Sequence, residues 1–489
     1  MKSLKEFKSW VKNLRVAVLG AGISNRPLIR LLLEAGAETV IFDIREAEAF
    51  TSFKEEIREY KNQPQWSLGK DYLSALQSFD LIFRTPIVRP DLPQLLAERE
   101  RGAIISSEME VFFALCPAEI IAITGSDGKT TTSSLTALAL EAAGYTTYLG
   151  GNIGKPLLSQ VDEIKETDKV VIELSSFQLG SMRQSPEVAV ITNISPNHLD
   201  VHKDYEEYIN CKAEIFRHQK FNNRLILNGS DPVLQNFARE ARGEVIWTGE
   251  RPFGEGKLFG LAEEESFYQA NPEAEKEHIL KAEEITIPGY FNHLNILSAL
   301  AAGCHLFDYK EVAKHLAKFK GVEHRQEFVR ELDGVRYYNS SIDSSPSRSQ
   351  VTISAFSQFT KPLYLICGGK DKNLTYDDLV KTWQKPVKKV FVCGDNADKI
   401  KEAYENFVAS QNASFSYSLE GTTVRQVGKS LELAQLTECS SYENALQQIR
   451  REAEPGSLVL FTPAGTSFDR FNNFAERGKI FKDLVRDLV

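Results

Sequence analysis

Short apolar runs rich in β-branched residues alternate with helical patterns along almost the whole chain. RVAVLG, TVIFD and DLIFR come first, then IIAIT, KVVIEL, VAVITN and RLILN, then VRYYN, PLYLIC, KVFVCG and SLVLFT. A strand followed by a helix and another strand returns parallel to itself, so this alternation predicts an α/β fold built on mostly parallel sheets. At 489 residues the chain exceeds one core of usual size, and about three domains are expected. The runs fall into three groups. One break follows the helix-like SEMEVFFAL, near Cys116 to Ile120, and a second lies in FKGVEHR, Phe319 to Arg325. The expected domains are therefore 1–115, 116–321 and 322–489. The polar stretch LAEEESFYQANPEAEKEH reads as an exposed insertion or hairpin.

Basic residues number 58 and acidic ones 67, a net charge of −9, which argues against a nucleic-acid partner. The N-terminal stretch is amphipathic and basic without a long apolar core, and no later run is long enough to span a bilayer. We expect a cytoplasmic protein with no membrane insertion. The six cysteines lie far apart with no CxxC pair, so buried free thiols are expected rather than zinc or redox chemistry.

AITGSDGKTTTSSL, Ala122 to Leu135, has the strand, loop and helix order of a phosphate loop. Backbone N–H groups and the helix N-terminus face the anion, Lys129 neutralises phosphate charge, and the Thr130 hydroxyl suits Mg²⁺. The common spacing G-x-x-x-x-G-K-[ST] wants glycine at 123, yet that residue is Ile123 and the glycines are Gly125 and Gly128. A plain glycine turn capping a helix is the alternative. GAGISN, Gly20 to Asn25, followed by Asp43, approaches a dinucleotide fingerprint with Asn25 in the third glycine's place; it fits either a nucleotide or simple βα packing. Glu173 in VIELSSFQL stands at the end of a buried-looking strand, where a carboxylate pairs with a cation or binds a metal. His198, Asp200 and His202 of NISPNHLDVH share that sheet edge, which favours a ligand role over a structural one.

Together with GGNIG, ELSSFQL, NHLD, YINCKAEIF, GYFNHLNILSALAA, EHR and SFDRFNNFAERG, these pieces resemble the ATP-dependent Mur ligases over essentially the whole chain. The family loop, T-G-[TS]-N-G-K-[ST]-T, matches Thr124, Gly125, Ser126, Gly128, Lys129, Thr130 and Thr131, so the short spacing is a family feature. The resemblance implies a Rossmann-like N-terminal domain that binds a UDP-substrate, a central phosphate-loop ATPase domain, and a Rossmann-like C-terminal domain for the amino acid. It also implies an amide-bond ligase that adds D-glutamate to UDP-N-acetylmuramoyl-L-alanine through an acyl phosphate, acting as a monomer.

Residue by residue, the resemblance implies ATP and Mg²⁺ at Lys129 and Thr130, Mg²⁺ at Glu173, and the sugar-nucleotide and metal site at Asn152 and His198. Lys212 matches a lysine that the family carbamylates, giving a second Mg²⁺ an oxygen ligand; the sequence alone would make it an exposed helical lysine. Asn292 corresponds to an adenine contact, with helix capping as the plainer reading, and Arg325 to a phosphate contact. Ser347, Lys372, Ser467, Phe468 and Phe474 correspond to positions that hold D-glutamate, and Ile23, Ser24, Asp43 and Arg45 to uridine and phosphate contacts.

Two departures stand out. Ser340 occupies the place of an acid near the ATP ribose, for which Asp343 is a candidate replacement. Asp127 stands where the family has Asn; a carboxylate ~4 Å from a phosphate charge costs on the order of 4 kcal/mol at an effective dielectric near 20, so it must turn outward or face a cation. A ligase of the same superfamily with another acceptor, such as a folylpolyglutamate synthase, and a nucleotide-responsive binding protein are the alternatives.

Overall fold

A computed structural model describes residues 3–196, 201–250, 257–261, 266–270, 276–287, 289–357, 361–371, 373–413, 417–419, 422–424 and 433–489. Packing divides the chain into two compact units, Met1–Ala282 with His293–Leu316, and Glu283–Asn292 with Ala317–Val489.

The first unit carries two sheets. β1 (Arg15–Leu19), β2 (Glu38–Asp43), β3 (Gln65–Leu68), β4 (Leu81–Arg84) and β5 (Ile104–Ser106) lie in the order β3-β2-β1-β4-β5, all parallel. The second sheet comprises β6 (Glu119–Thr124), β7 (Thr147–Gly151), β8 (Lys169–Glu173), β9 (Val188–Ile191), β10 (Arg224–Asn228), β11 (Glu244–Gly249), β12 (Lys257–Leu261), β13 (Ser266–Ala270) and β14 (Glu277–Lys281). Their order is β14-β13-β12-β11-β10-β9-β6-β8-β7, with only β12–β13 and β13–β14 antiparallel. The polar stretch expected as an insertion or hairpin contributes β13 to that antiparallel edge, and Phe267 and Tyr268 are buried in it.

β8 and β9 are buried along their whole length, which is why their sequences run continuously apolar instead of alternating. β6 lies between them. The chain turns one way from β6 to β7 and β8 and the other way to β9, so the carboxyl end of β6 is a topological switch point, the usual ligand crevice of such sheets.

In the second unit, β15 (Glu327–Leu332), β16 (Val335–Asn339), β17 (Leu363–Cys367), β18 (Val387–Val392), β21 (Gln435–Glu438) and β22 (Leu458–Phe461) form a sheet ordered β15-β16-β22-β17-β18-β21. Only β15 is antiparallel to its neighbour. A separate hairpin joins β19 (Tyr417–Leu419) and β20 (Thr422–Val424). Apolar clusters on both faces of the main sheet, one around Trp383 and one around Phe461, complete an α/β layer structure.

Candidate active site

From β6 the chain passes through Gly125 to Gly128 into the helix Lys129–Ala142. Gly125 has φ 148°, and a Cβ there would stand 1.9 Å from Thr192 Oγ1; Gly128 has φ 80°, with Asn295 Oδ1 2.5 Å from the same point. Conformation and space both demand glycine at these two positions.

The loop is pinned from the strand beside it. The Ser126 N–H donates to Asn193 O at 2.9 Å, and the Asp127 N–H to Asn193 Oδ1 at 3.0 Å. Ser126 Oγ exchanges hydrogen bonds with the Ser195 backbone and lies 2.8 Å from the Tyr208 hydroxyl. Asp127 is exposed while its backbone carbonyl accepts from Thr192 Oγ1, so the acid is on the solvent side of a fixed loop. Thr130 is half-buried and Thr131 buried on the first turn of the helix.

Two ammonium groups meet at one carbonyl. Lys129 Nζ donates to Gly125 O and Ser126 O, each at 2.9 Å, and Lys212 Nζ donates to Gly125 O at 2.7 Å. Lys212 is 1% exposed, which corrects the exposed helical lysine read from sequence: the helix Tyr205–Arg217 turns Tyr208, Lys212 and Ile215 inward together. Spacing at i, i+4 and i+7 marks one helix face, and the long lysine stem packs along it. Burial, with the Lys129 charge nearby, lowers Lys212 from its ordinary value to about 7.

Glu173 ends β8 in register with Ile123 of β6. Asn152 holds it twice, its Nδ2 donating to Glu173 Oε1 at 2.8 Å and its backbone N–H to Glu173 O at 2.8 Å. Glu173 Oε2 is buried without a hydrogen-bond partner. A buried orphan carboxylate oxygen beside a phosphate loop suits a hard cation.

His198 and Asp200 lie outside the described residues, as does Lys372. His202 does not meet the ligand expectation. Its Nε2 is 2.9 Å from Ser176 Oγ, its Nδ1 is 3.6 Å from Glu207, and the ring stacks on Phe177 at 5.0 Å. Among the described residues no group of three or more His, Cys, Asp or Glu is arranged to hold a metal.

At the carboxyl edge of the first sheet, the buried Asp43 carboxylate accepts from the Ala21 N–H at 2.9 Å and pairs with the Arg45 guanidinium, at 2.9 and 2.7 Å. The Arg45 hydrogen bonds outweigh burial and hold the Asp43 carboxyl below its ordinary range. Asn25 explains the missing third glycine: its buried amide donates to Gly20 O at 2.8 Å and Leu19 O at 3.3 Å, closing the turn with a side chain. Ile23 and Ser24 are exposed beside it.

In the second unit, Arg325 sits between two non-glycine residues of positive φ, His324 at 64° and Gln326 at 48°. Such backbone persists only where its surroundings over-determine it. Here the His324 N–H donates to Glu327 Oε2 at 2.9 Å, the Gln326 N–H to Ser340 Oγ at 3.3 Å, and the Asn292 amide to Gln326 Oε1 at 3.2 Å. Ser340 and Asp343 are both buried and bonded to each other; Thr462 Oγ1 donates to Asp343 Oδ2 at 2.9 Å, and burial raises the Asp343 carboxyl. Ser467 is buried, whereas Ser347, Phe468 and Phe474 are exposed. Sequence reasoning missed Asn193, Tyr208 and Asn295; a contact made 65 residues or more away in the chain leaves no local pattern.

A strand, a short glycine loop with lysine and hydroxyls, and a helix N-terminus at a sheet's switch point define a phosphate-loop α/β protein. Models of the Mur ligase middle domain and of the Mur ligase glutamate ligase domain match residues 123–303 and 324–465. The chain is 44% identical to the UDP-N-acetylmuramoylalanine--D-glutamate ligase of Ruminiclostridium cellulolyticum, over 99% of each chain, and 44% identical to that of Acetivibrio thermocellus, again over 99% of each. Among solved structures, the UDP-N-acetylmuramate-alanine ligase MurC of Thermotoga maritima shares the fold, with a TM-score of 0.53, 16% identity, and coverage of 97% of this chain and 99% of that one. This chain belongs to the Mur ligase family, whose members are ATP-dependent ligases.

Proposed function

We propose that this ligase joins D-glutamate to UDP-N-acetylmuramoyl-L-alanine in peptidoglycan precursor synthesis, in the cytoplasm and as a monomer. The domains are 1–115 for the UDP-substrate, 116–321 for ATP and 322–489 for the amino acid. No helix among the described residues is long and apolar enough to cross a membrane.

The observation that carries the proposal is the meeting of Lys129 and Lys212 at the Gly125 carbonyl, with Lys212 buried there and Glu173 at the end of the neighbouring strand β8. A carboxylate is a poor electrophile. Its attack on the ATP γ-phosphate gives an acyl phosphate and releases ADP, and the D-glutamate amine then attacks the acyl carbon, expelling inorganic phosphate and losing a proton to leave the amide. In this reading Gly125, Ser126, Gly128 and Thr131 cradle the phosphates, while Lys129 and Arg325 neutralise the charge that spreads in transfer. Asn292 takes the adenine, with the Ser340–Asp343 pair supporting the Arg325 turn through Gln326. Thr130, Glu173, His198 and a carbamylated Lys212 hold Mg²⁺, which when bound supplies positive charge toward the phosphates. Asn152 fixes Glu173 and the sugar-nucleotide. Ile23, Ser24, Asp43 and Arg45 take the uridine diphosphate, and Ser347, Lys372, Ser467, Phe468 and Phe474 take D-glutamate.

Phosphate release is expected only when UDP-N-acetylmuramoyl-L-alanine, D-glutamate and ATP are all present. Equal release with L-lysine, diaminopimelate or a folate as the other substrate would sink the assignment.

A further inference from the structure

Arg84 ends β4, and the segment from there to Asp91 leaves the first sheet and takes hold of elements of the second. Arg84, 2% exposed, donates to Phe177 O at 3.4 Å and to Ser181 Oγ. Arg89 pairs within its own segment, with two parallel hydrogen bonds to the Asp91 carboxylate at 2.9 and 3.0 Å. The same guanidinium reaches across to Val201 O and to Glu207 Oε1, the latter at 2.8 Å, while Lys203 Nζ comes back to Asp91 at 3.0 Å. Hydrogen bonds from Arg89 and Lys203 hold the Asp91 carboxyl far below its usual range. An isolated surface pair contributes little, but here one planar fork of donors joins acceptors that belong to both sheets.

Glu207 is on the first turn of the helix Tyr205–Arg217, and its second oxygen accepts from the Lys203 N–H at 2.6 Å. The Asp204 side chain caps the same turn. A cap decides where a helix begins in the chain, not where the helix lies in space. Burial of Ala213, Ile215 and Phe216 secures the later turns. The earlier turns carry the groups that face the phosphate loop. Tyr208, next to Glu207 in the chain, has its hydroxyl 2.8 Å from Ser126 Oγ, and Lys212, about 7.5 Å along the axis from Glu207, donates to Gly125 O at 2.7 Å. His202 fills the corner between them, stacked on Phe177, edge-on to Tyr208 at 5.3 Å, and with Nδ1 3.6 Å from Glu207.

We propose that Arg89 is a positioning residue for the ligase reaction: anchored on the first sheet's side by Asp91, it fixes where the start of the helix Tyr205–Arg217 lies, and with it the approach of Tyr208 and Lys212 to the phosphate loop. Asp91 and Glu207 are its partners in that task. Arg89 acts through the helix, which distinguishes it from the residues that meet a substrate. The assignment rests on the reading of Lys212 as part of the site.

Steady-state kinetics of the full chain test it. Arg89→Leu releases the start of the helix and is expected to lower kcat about tenfold while the KM for the sugar-nucleotide stays within about twofold, because a small displacement at a reacting centre costs rate more than binding. Arg89→Lys keeps the charge without the fork and is expected to recover part of the loss. Glu207→Gln is expected to lower kcat as well, and added to Arg89→Leu it should cost little more than Arg89→Leu alone, since both cut one path. A residue that only stabilised the fold would shift the melting temperature and leave kcat per folded molecule unchanged. Should Arg89→Leu fail to fold, Glu207→Gln, which keeps the shape of the side chain, carries the test. An unchanged kcat in the folded variants, or losses that multiply in the double variant, overturns the proposal. An unchanged kcat in Lys212→Ala would instead strike at the reading of the site.

Discussion

A buried lysine and a buried acid carry the residue-scale consequences. With Lys212 lowered to about 7, neutral amine is present at neutral pH, and it can add CO₂ to give a carbamate and a proton. Labelled CO₂ is expected to give a carbamate carbon signal that Lys212→Arg lacks, and the absence of that signal in wild-type protein would remove the metal-ligand role. For Glu108, the folded pKa of about 8 lies above the unfolded value of 4.5. The folded chain therefore keeps a proton that the unfolded chain has lost, and stability falls as pH rises through that window, by up to about 1.4 kcal/mol per pH unit. Glu108→Gln should flatten the dependence and melt higher than wild type at pH 8; an identical slope in thermal melts would contradict it. These residues also show the limit of sequence reading. The burial of Lys212 is hard to read from sequence because its polar neighbours, Asn210 and Cys211 among them, disguise the inward face of Tyr208 and Ile215. Asn25 reads as a broken motif, yet its amide ties the start of the helix to the end of β1 through hydrogen bonds to Gly20 O and Leu19 O.

Elements were legible where they are buried. Every strand named from the sequence is present, and of those missed, β3, β5, β7, β15 and β21 lie at sheet edges, where half-exposed residues interrupt the apolar run; β11 and β12 are internal and were missed as well. The phosphate loop was recognisable from its own residues, but its anchors were not, because Asn193 and Tyr208 reach it across the sheet. That anchoring decides the fate of Asp127. Only its backbone N–H and carbonyl serve the loop, so Asp127→Asn is expected to preserve ligation or to tighten ATP binding by relieving repulsion. A loss beyond about tenfold in kcat/KM, ~1.4 kcal/mol, would give the acid a task of its own.

On the scale of the whole molecule, separate apolar clusters in the two compact units predict separable unfolding transitions. A non-hydrolysable ATP analogue with Mg²⁺, bound chiefly through the phosphate loop, should raise the first unit's transition, by about 2.7 kcal/mol at a hundredfold excess over Kd. D-glutamate alone should raise the second. A calorimetric scan in which D-glutamate moves only the first unit's transition would displace the amino-acid site from the residues assigned to it.

The bonded pair Ser340 and Asp343 ties the turn around Arg325 to the sheet: Ser340 Oγ accepts from the Gln326 N–H and bonds Asp343, and Asp343 accepts from Thr462, the residue after β22. So enclosed, the acid works as a hinge pin: it fixes where the turn leaves the sheet, and with it the direction in which the chain carries Arg325 away from the strand ends.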